Sequence, residues 1–280
     1  MIIWLASYPK SGNTWIKGFI ISLLYTTEGT SNLENFKKIN QYPLKSHFEN
    51  LTTDFNDITK FKKYYHKSQD IINSDNKIKI LKTHNALLNV DGDNFSSTKN
   101  TLGVIHIVRD PRNVITSLKH HYSIPDFEKA KEFLFDEKRV IFGNFDKKDY
   151  PLSTLLASWK THYLSWKQVK LNYLLIKYED LLNNPIKEFS KISDYLSNLL
   201  NVKISEKKIE NSIKSNSFYN LKKEEQDKGF AESVLSRDGK RKIPFFNLGP
   251  KNDWKTLLEE KTAAEIEAKF NNEMKELGYM

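Results

Sequence analysis

The stretch SYPKSGNTW at residues 7–15 combines residue types that bind an anion, and it stands between an apolar run and a helical pattern. At a strand–loop–helix junction, unpaired backbone N–H groups and the positive end of the helix dipole are aimed at one point. Lys10 would add a compact positive charge there, and Ser11 and Thr14 would add hydroxyl donors. Gly12 would permit close approach of the backbone. These residues fit a phosphate or sulfate site, and they fit an ordinary helix start with a surface lysine equally well.

Three more polar residues come directly after apolar runs elsewhere in the chain, namely His84, Arg109 and Tyr178. An imidazole titrates near neutral pH and suits general-base catalysis, although a lone histidine is more often structural. A guanidinium binds a phosphate through two parallel hydrogen bonds, and Ser117, eight residues after Arg109, would add a neutral donor. The structural alternative for Arg109 is an ion pair with Asp110 or another carboxylate. These residue types fit proton transfer and phosphate binding if the fold brings them together.

Four short apolar runs rich in β-branched residues predict the strands that would carry these residues. The runs lack strict alternation with polar residues, which is typical of strands covered on both faces. Helical patterns alternate with them, so we expect an α/β protein with a central parallel sheet flanked by helices. Ligands bind such sheets at the carboxyl ends of the strands, where the polar residues stand. The expected strands are 2–6, 78–82, 104–108 and 173–177, and the expected helices are 113–122, 152–171, 185–200, 259–277 and one that starts at Thr14.

Three segments differ from this core in composition. Residues 28–77 and 123–150 are polar with scattered aromatic side chains, and we expect them to roof the site as insertions. Residues 214–253 are rich in Lys and Glu and contain three glycines, which is typical of a mobile loop or lid. No repeat and no clean linker divides the chain, so we expect a single domain over residues 1–280.

Charge and cysteine content limit the ligands and the compartment. The chain has 44 Lys and Arg against 35 Asp and Glu, a net charge of +9 that attracts anions. It has no cysteine, which excludes disulfides, thiol nucleophiles and cysteine-bound metals. No basic stretch precedes the first apolar run, and Lys10 and Lys17 interrupt the residues after that run, so we expect neither a signal peptide nor a membrane span. A cytoplasmic protein is the expectation.

The motifs together resemble those of the sulfotransferases that use 3′-phosphoadenosine 5′-phosphosulfate (PAPS) as donor. SYPKSGNTW resembles their 5′-phosphosulfate loop, in which a Tyr-Pro-Lys-Ser-Gly run is closed by Thr-Trp. VRDPRNVITS at 108–117 resembles their 3′-phosphate motif, an Arg followed eight residues later by a Ser. LKTH at 81–84 resembles their Lys-Thr-His element, and YEDL at 178–181 resembles the segment that contacts adenine. The resemblance runs from about residue 2 to residue 279, with the roofing segments unmatched.

This resemblance implies a three-layer, P-loop-like fold and a role for each site residue. His84 would take the proton of the acceptor, with Lys82 near the transferring group, and Lys10 would stabilise the departing phosphate. Trp15 and Phe218 would sandwich the adenine, and no metal is required. The residues implied to be catalytic are His84, Lys10, Lys82 and Ser117, and those implied to bind the donor are Lys10, Ser11, Gly12, Asn13, Thr14, Trp15, Arg109, Ser117, Tyr178, Phe218, Asn247, Leu248 and Gly249.

The C-terminal match to the family is partial. Asn247 and Leu248 stand where the family has an Arg and a Lys that grip the 3′-phosphate, while Gly249 is kept. A glycine of the family pattern is also replaced, by Asn252. The sequence therefore does not decide which residues form the second half of the 3′-phosphate clamp. The residues that could compensate from the lid are Lys240, Arg241, Lys242 and Lys251.

The implied reaction is in-line transfer of a sulfuryl group from PAPS to a hydroxyl or amine of a small-molecule or carbohydrate acceptor. It releases adenosine 3′,5′-bisphosphate (PAP), and no nucleic-acid partner is expected. One alternative is a P-loop nucleotide kinase or NTPase, although the loop lacks the Gly-Lys-Ser/Thr ending that such proteins use to hold Mg²⁺. The other is a catalytically inactive relative that binds anions or glycans. The sequence decides neither the identity of the acceptor nor whether the protein forms a homodimer.

Overall fold

A computed structural model describes residues 1–143, 149–236 and 239–280 of the chain. Within them, the central sheet has four parallel strands in the order β2-β1-β5-β8. β1 is central, with Ile3 paired to Ile80 on one side and to Gly103 on the other. The strands of the chain are β1 (Ile2–Ser7), β2 (Lys79–Thr83), β3 (Asn89–Val90), β4 (Asp93–Asn94), β5 (Thr101–Val108), β6 (Val140–Ile141), β7 (Thr154–Leu155), β8 (Tyr173–Lys177), β9 (Val234–Leu235) and β10 (Lys242–Ile243).

Helices cover both faces of this sheet. The α-helices are α1 (Asn13–Tyr25), α2 (Ile58–Phe61), α3 (Tyr65–Ile72), α4 (Pro111–His121), α5 (Phe127–Phe135), α6 (Trp159–Lys167), α7 (Tyr178–Asn183), α8 (Pro185–Leu200), α9 (Glu206–Ser215), α10 (Phe218–Lys228), α11 (Trp254–Leu257), α12 (Glu260–Lys269) and α13 (Asn271–Leu277). Short 3₁₀ helices lie at Leu33–Lys38, Lys45–His47, Lys62–Tyr64 and Gly249–Lys251. None of the helices in the described parts of the chain has the length and apolar character needed to cross a membrane.

The alternation of side chains along β1 explains the three layers. Ile3 and Leu5 lie in a buried cluster with residues of α1 and α8 on one face of the sheet. Trp4 and its neighbours at Ile2 and Ala6 lie in a second cluster on the other face, which includes Trp166 of α6. Every residue of β1 is buried, as the unbroken apolar run predicts. The expected α/β fold with a parallel sheet between helices is confirmed.

The expected helices over 152–171 and 259–277 differ most from the structure, while 113–122 is shifted to Pro111–His121. The helix expected over 152–171 begins only at Trp159, because residues 154–155 pair with β6 as a strand. Ser158 then caps the helix by accepting a hydrogen bond from the N–H of Thr161. The helix expected over 259–277 is divided at Phe270 into α12 and α13. By contrast, 185–200 is one helix, α8, as expected.

The roofing and lid segments contain regular structure. Residues 28–77 form short helices, and 123–150 contain α5 and β6, although 144–148 lie outside the described residues. The mobile loop or lid expected over 214–253 is not a loop in its first half, since α10 occupies Phe218–Lys228. The antiparallel pair of β9 and β10 comes next, and residues 237–238 lie outside the described part. This lid segment reaches the start of α1, where Glu232 accepts a hydrogen bond from Thr14.

Candidate active site

The loop between β1 and α1 has the backbone geometry of an anion cradle. Gly12 caps α1 with φ of 102°, and its carbonyl accepts from the N–H groups of Trp15 and Ile16 at 3.0 and 3.2 Å. A Cβ at this position would lie 2.6 Å from the Tyr178 ring. Glycine is therefore needed for two reasons, the positive φ of the backbone and the close approach of the ring. Lys10 also has a positive φ, 65°. The expected strand–loop–helix junction is present.

Two polar side chains of the loop are buried beneath this cradle. Asn13 donates through Nδ2 to the carbonyl of Leu5 and to Oγ of Ser7, both at 3.1 Å. Its side chain therefore fastens the start of α1 to β1. The hydroxyl of Ser11 is buried and has no hydrogen-bond partner among the described residues. A buried unpaired hydroxyl is uncommon, and here it lies in the loop that would hold an anion.

His84 lies directly after β2, with Nδ1 2.7 Å from the carbonyl oxygen of Ser7. Because a carbonyl oxygen only accepts, Nδ1 carries the hydrogen of a neutral ring and Nε2 carries the lone pair. Burial lowers the pKa of His84 to about 3, with a further lowering by the ammonium of Lys82 and a partial offset by the Ser7 carbonyl. The ring is therefore neutral at physiological pH, which is the state that a general base needs.

A cluster of donors at the same end of the sheet converges on one carboxylate, Glu232. Thr14 donates to Oε2 of Glu232 at 2.8 Å, and Nζ of Lys82 donates to the same oxygen at 3.2 Å. Lys17, on the second turn of α1, is paired with Oε1 at 3.6 Å. We call Lys17, Lys82 and Thr14 the lysine cluster. Burial favours a raised pKa for Glu232, but Lys82, Lys17 and the Thr14 hydroxyl outweigh it and hold the pKa well below the usual range.

Lys10 and Lys17 are easier to deprotonate than exposed lysines. Burial lowers the pKa of Lys10 to about 7, and the positive charges of Lys82 and Arg109 lower it further while Glu232 opposes the change. Burial likewise lowers the pKa of Lys17 to about 8. The ammonium of Lys10 lies 3.7 Å from the centroid of the Phe245 ring. An anion at this place would therefore be bound by groups whose charge depends on pH near neutrality.

Arg109 lies just after β5 and faces the loop rather than a carboxylate. Its Nη1 donates to the carbonyl of Lys10 at 3.0 Å, and its guanidinium lies 4.1 Å from the centroid of the Tyr178 ring. Its Nε is buried and has no partner among the described residues. The structural alternative, an ion pair with Asp110, is wrong, because Asp110 is paired with Arg112 at 2.7 Å.

The serine and the aromatic residues expected to bind the donor lie on other elements, α1, α4, α7 and α10. Ser117 is half-buried on α4, the helix that starts immediately after Asp110. Trp15 packs edge-on against Tyr178, with ring centroids 5.9 Å apart. Phe218 begins α10 and lies so close to Gly249 that a Cβ there would overlap its ring. The structure thus brings Trp15 and Tyr178 into contact and places Phe218 on the lid.

The partial C-terminal motif contains a cation that the sequence pattern did not reveal. Nζ of Lys222, on α10, donates to the carbonyl of Asn247 at 2.9 Å. Leu248 is 37% exposed and contributes no charge. Asn252 fastens this segment to α4, accepting from Thr116 at 2.7 Å. The sequence pattern does not reveal Lys222, because it stands 25 residues before Asn247 in a segment expected to be a mobile loop or lid.

No local sequence signal marks Lys17 and Glu232 as site residues. Lys17 lies within an apolar helical pattern, and Glu232 lies in the lid segment among many other charged residues. Their ion pair joins α1 to the lid. In the described ranges, no group of three or more His, Asp or Glu side chains is arranged as metal ligands would be.

Comparison with known proteins decides the family. The family model for the sulfotransferase domain matches residues 2–278. The chain belongs to this family. Sulfotransferase 1 family member D1 of Mus musculus is 25% identical to it over 261 residues, which cover 90% of this chain and 76% of the relative. The expectation of a sulfotransferase that uses PAPS is confirmed, and the nucleotide kinase alternative is not supported.

Two solved structures share the fold of this sulfotransferase. The mouse sulfotransferase SULT7A1, complexed with PAP, has a TM-score of 0.60 at 20% identity and covers 98% of this chain and 84% of its own. Retinol dehydratase in complex with retinol and PAP has a TM-score of 0.63 at 17% identity, with coverage of 98% and 81%. At these identities the likeness shows the fold, including the P-loop-like arrangement of the sheet and its first loop.

Proposed function

We propose that this sulfotransferase transfers the sulfuryl group of PAPS to a hydroxyl or amine of a small-molecule or carbohydrate acceptor and releases PAP. The observation that carries the proposal is the contact of His84 with Ser7 at 2.7 Å, which brings a neutral imidazole to the first residue of the anion loop. Lys82 and Thr14 bind one carboxylate oxygen nearby, so the same place already holds an anion. Two solved structures of similar fold, both complexed with PAP, support this donor.

The reaction needs positioning, charge stabilisation and one base. The acceptor atom attacks the sulfur of PAPS, and its proton passes to Nε2 of His84. The bond between sulfur and the bridging oxygen breaks, and its electron pair stays on the 5′-phosphate of PAP. Lys10 stabilises that charge. Negative charge of the donor beside Lys82 offsets the lowering of the His84 pKa by that ammonium.

The donor is held along the carboxyl ends of β1, β5 and β8. We assign the 5′-phosphosulfate group to the loop amides with Lys10, Ser11 and Thr14, and the 3′-phosphate to Arg109 and Ser117. The unpaired Nε of Arg109 supports this assignment, because a guanidinium bound to one carbonyl keeps donors for a phosphate. Gly12 and Asn13 are assigned to the loop around the 5′-phosphosulfate group. The adenine is assigned to the aromatic residues Trp15, Tyr178 and Phe218.

The second half of the 3′-phosphate clamp is assigned to Lys222. Asn247 and Leu248 bring no positive charge, but Lys222 lies against the carbonyl of Asn247 at 2.9 Å. Gly249 lets the Phe218 ring pack under this segment. A cation from α10 thus replaces the side chains that the resemblance led us to expect at positions 247 and 248.

The direct test is incubation of the full chain with PAPS and a panel of acceptors in the presence of EDTA. The panel contains a phenol, an aliphatic alcohol, an amine and a sugar, and release of PAP above the acceptor-free control is measured. Transfer to at least one acceptor is expected. Binding of ATP with Mg²⁺ but not of PAP would instead favour a kinase, and binding of PAP without transfer to any acceptor would favour an inactive relative.

Location and oligomeric state stay predictions. A cysteine-free chain is compatible with the reducing cytoplasm. Fractionation of cells that produce the protein checks the location, and sedimentation of the purified protein at several concentrations distinguishes a monomer from a homodimer.

A further inference from the structure

Glu232 belongs to the lid but binds residues of the donor site. It lies between α10 and β9, and its carboxylate accepts from Thr14 of α1 and from Lys82 of β2. The side chain of Lys17, its third partner, is only 9% exposed, while that of Glu232 is 23% exposed. A carboxylate thus reaches the lysine cluster from a segment 218 residues further along the chain than Thr14.

Two of the three partners of Glu232, Thr14 and Lys82, are groups that an oxyanion of the donor would use. Thr14 belongs to the 5′-phosphosulfate loop, and Lys82 stands two residues before His84. A hydroxyl hydrogen and an ammonium that face one carboxylate oxygen cannot give the same hydrogen bonds to a phosphate or sulfuryl oxygen at the same time. Two negative groups at this distance would also repel each other.

The surrounding lid holds Glu232 in this place. Phe230 is buried and packs against Phe245 and Phe246, with ring centroids 5.4 and 5.6 Å apart. Glu225 accepts from Ser233 and from the N–H groups of Phe245 and Phe246. The turn that carries Glu232 is thus fixed on both sides, and its contact with the lysine cluster fastens the lid to α1 and β2.

We propose that Glu232 is a built-in competitor of the donor, whose carboxylate must leave the lysine cluster before the 5′-phosphosulfate group of PAPS binds there. The inference rests on the proposed function, because it takes PAPS as the donor. It gives the contact two consequences. Glu232 neutralises the buried lysines and holds the lid closed, and it lowers the apparent affinity for the donor by the fraction of molecules in which the cluster is occupied.

The test compares binding of two nucleotides to the full chain and to Glu232→Gln by calorimetry at pH 6. PAP carries the 5′-phosphate that competes with Glu232, whereas adenosine 3′-monophosphate lacks it. The substitution should lower the Kd of PAP about tenfold, the factor that corresponds to about 1.4 kcal/mol. The Kd of adenosine 3′-monophosphate should stay unchanged. Equal tightening of both nucleotides would show a general loosening of the lid and overturn the proposal.

Asp227→Asn is the matched control, since Asp227 is exposed on α10 and the substitution changes the net charge by the same single unit. It should leave both Kd values unchanged. Glu232→Ala, which removes the charge and the acceptor together, should tighten PAP in the same direction, and melting temperatures verify that both variants fold. Unchanged or weaker binding of PAP by the two Glu232 variants would overturn this inference and leave the proposed function standing. Failure of the wild-type chain to bind PAP would overturn both.

Discussion

The Nδ1 atom of His84 lies 2.7 Å from the carbonyl oxygen of Ser7, so the ends of β1 and β2 are joined through an imidazole. This hydrogen bond fixes the orientation of the ring and leaves Nε2 as the basic nitrogen. It also couples the position of the proposed base to the start of the anion loop. A displacement of either strand end would therefore misalign the base with the group that is transferred.

Substitution of His84 by Ala should lower kcat on the order of 10²-fold or more, because the acceptor loses its base. The Kd of PAP should change little, since the imidazole is not assigned to donor binding. Steady-state kinetics with PAPS and calorimetry with PAP measure the two effects separately. His120→Ala is the control, because His120 stands at the end of α4 and has no assigned role. Turnover of His84→Ala near the wild-type rate would remove His84 from the mechanism.

The affinity for PAP should fall as pH rises from about 6 to 9. Lys10 has a pKa of about 7, so it is protonated and attracts the donor below that value and is neutral above it. Lys10→Arg should move this loss of affinity to higher pH, because arginine keeps its charge throughout. Calorimetry in buffers of different ionisation enthalpy should show proton uptake on binding to the wild type near pH 8 and less uptake by the variant. A Kd independent of pH would contradict the assignment.

Substitution of Arg109 should weaken donor binding, whereas substitution of Arg112 should destabilise the fold. Arg109→Ala should weaken PAP binding by ~1.5–3 kcal/mol, the usual contribution of a charged hydrogen bond. Its melting temperature should change little, as its side chain bonds to one carbonyl. Arg112→Ala should instead cost the fold ~3–5 kcal/mol, because it leaves Asp110 buried without its ion pair. Calorimetry and chemical denaturation of both variants check this, and similar profiles for the two would contradict it.

Substitution of Gly12 by Ala should damage both stability and donor binding. The positive φ of 102° is strained for alanine, and the new Cβ would push against Tyr178. Gly92→Ala separates the two effects, because Gly92 has φ of 90° but open space around it. Strain alone costs on the order of 1–2 kcal/mol, so Gly12→Ala should lose more than that and Gly92→Ala should not. Only the Gly12 variant should lose affinity for PAP in calorimetry.

Lys222→Gln should weaken the binding of nucleotides that carry a 3′-phosphate and leave the binding of those that lack it unchanged. We expect about a tenfold higher Kd for PAP, since one charged contact of ~1.5–3 kcal/mol is lost and partly replaced by water. Adenosine 5′-monophosphate should bind as it does to the wild type. Lys223→Gln, on an exposed neighbour in the same helix, is the matched control. Equal weakening of both nucleotides would place Lys222 elsewhere in the site.

The central strands and helix α8 could be predicted because their sequence signals are local. β1 is an unbroken apolar run, and α8 begins with Asn184 as cap and Pro185 and ends at Asn201 with a positive φ. α10 could not be predicted, because one of its buried residues is Glu225, a carboxylate that accepts three hydrogen bonds from the lid. The helical periodicity of apolar residues does not reveal a buried helix face that contains a carboxylate.

The sequence by itself determined which residue types stand at the strand ends, since SYPKSGNTW, His84 and Arg109 come after apolar runs whose carboxyl ends must meet in a parallel sheet. Only the tertiary structure decided which charges meet them. Glu232 and Lys222 reach the site from the lid, and Lys17 reaches it from an apolar helix. The physical reason is that electrostatic energy depends on separation in space and on burial, and neither is encoded in the local pattern of one segment.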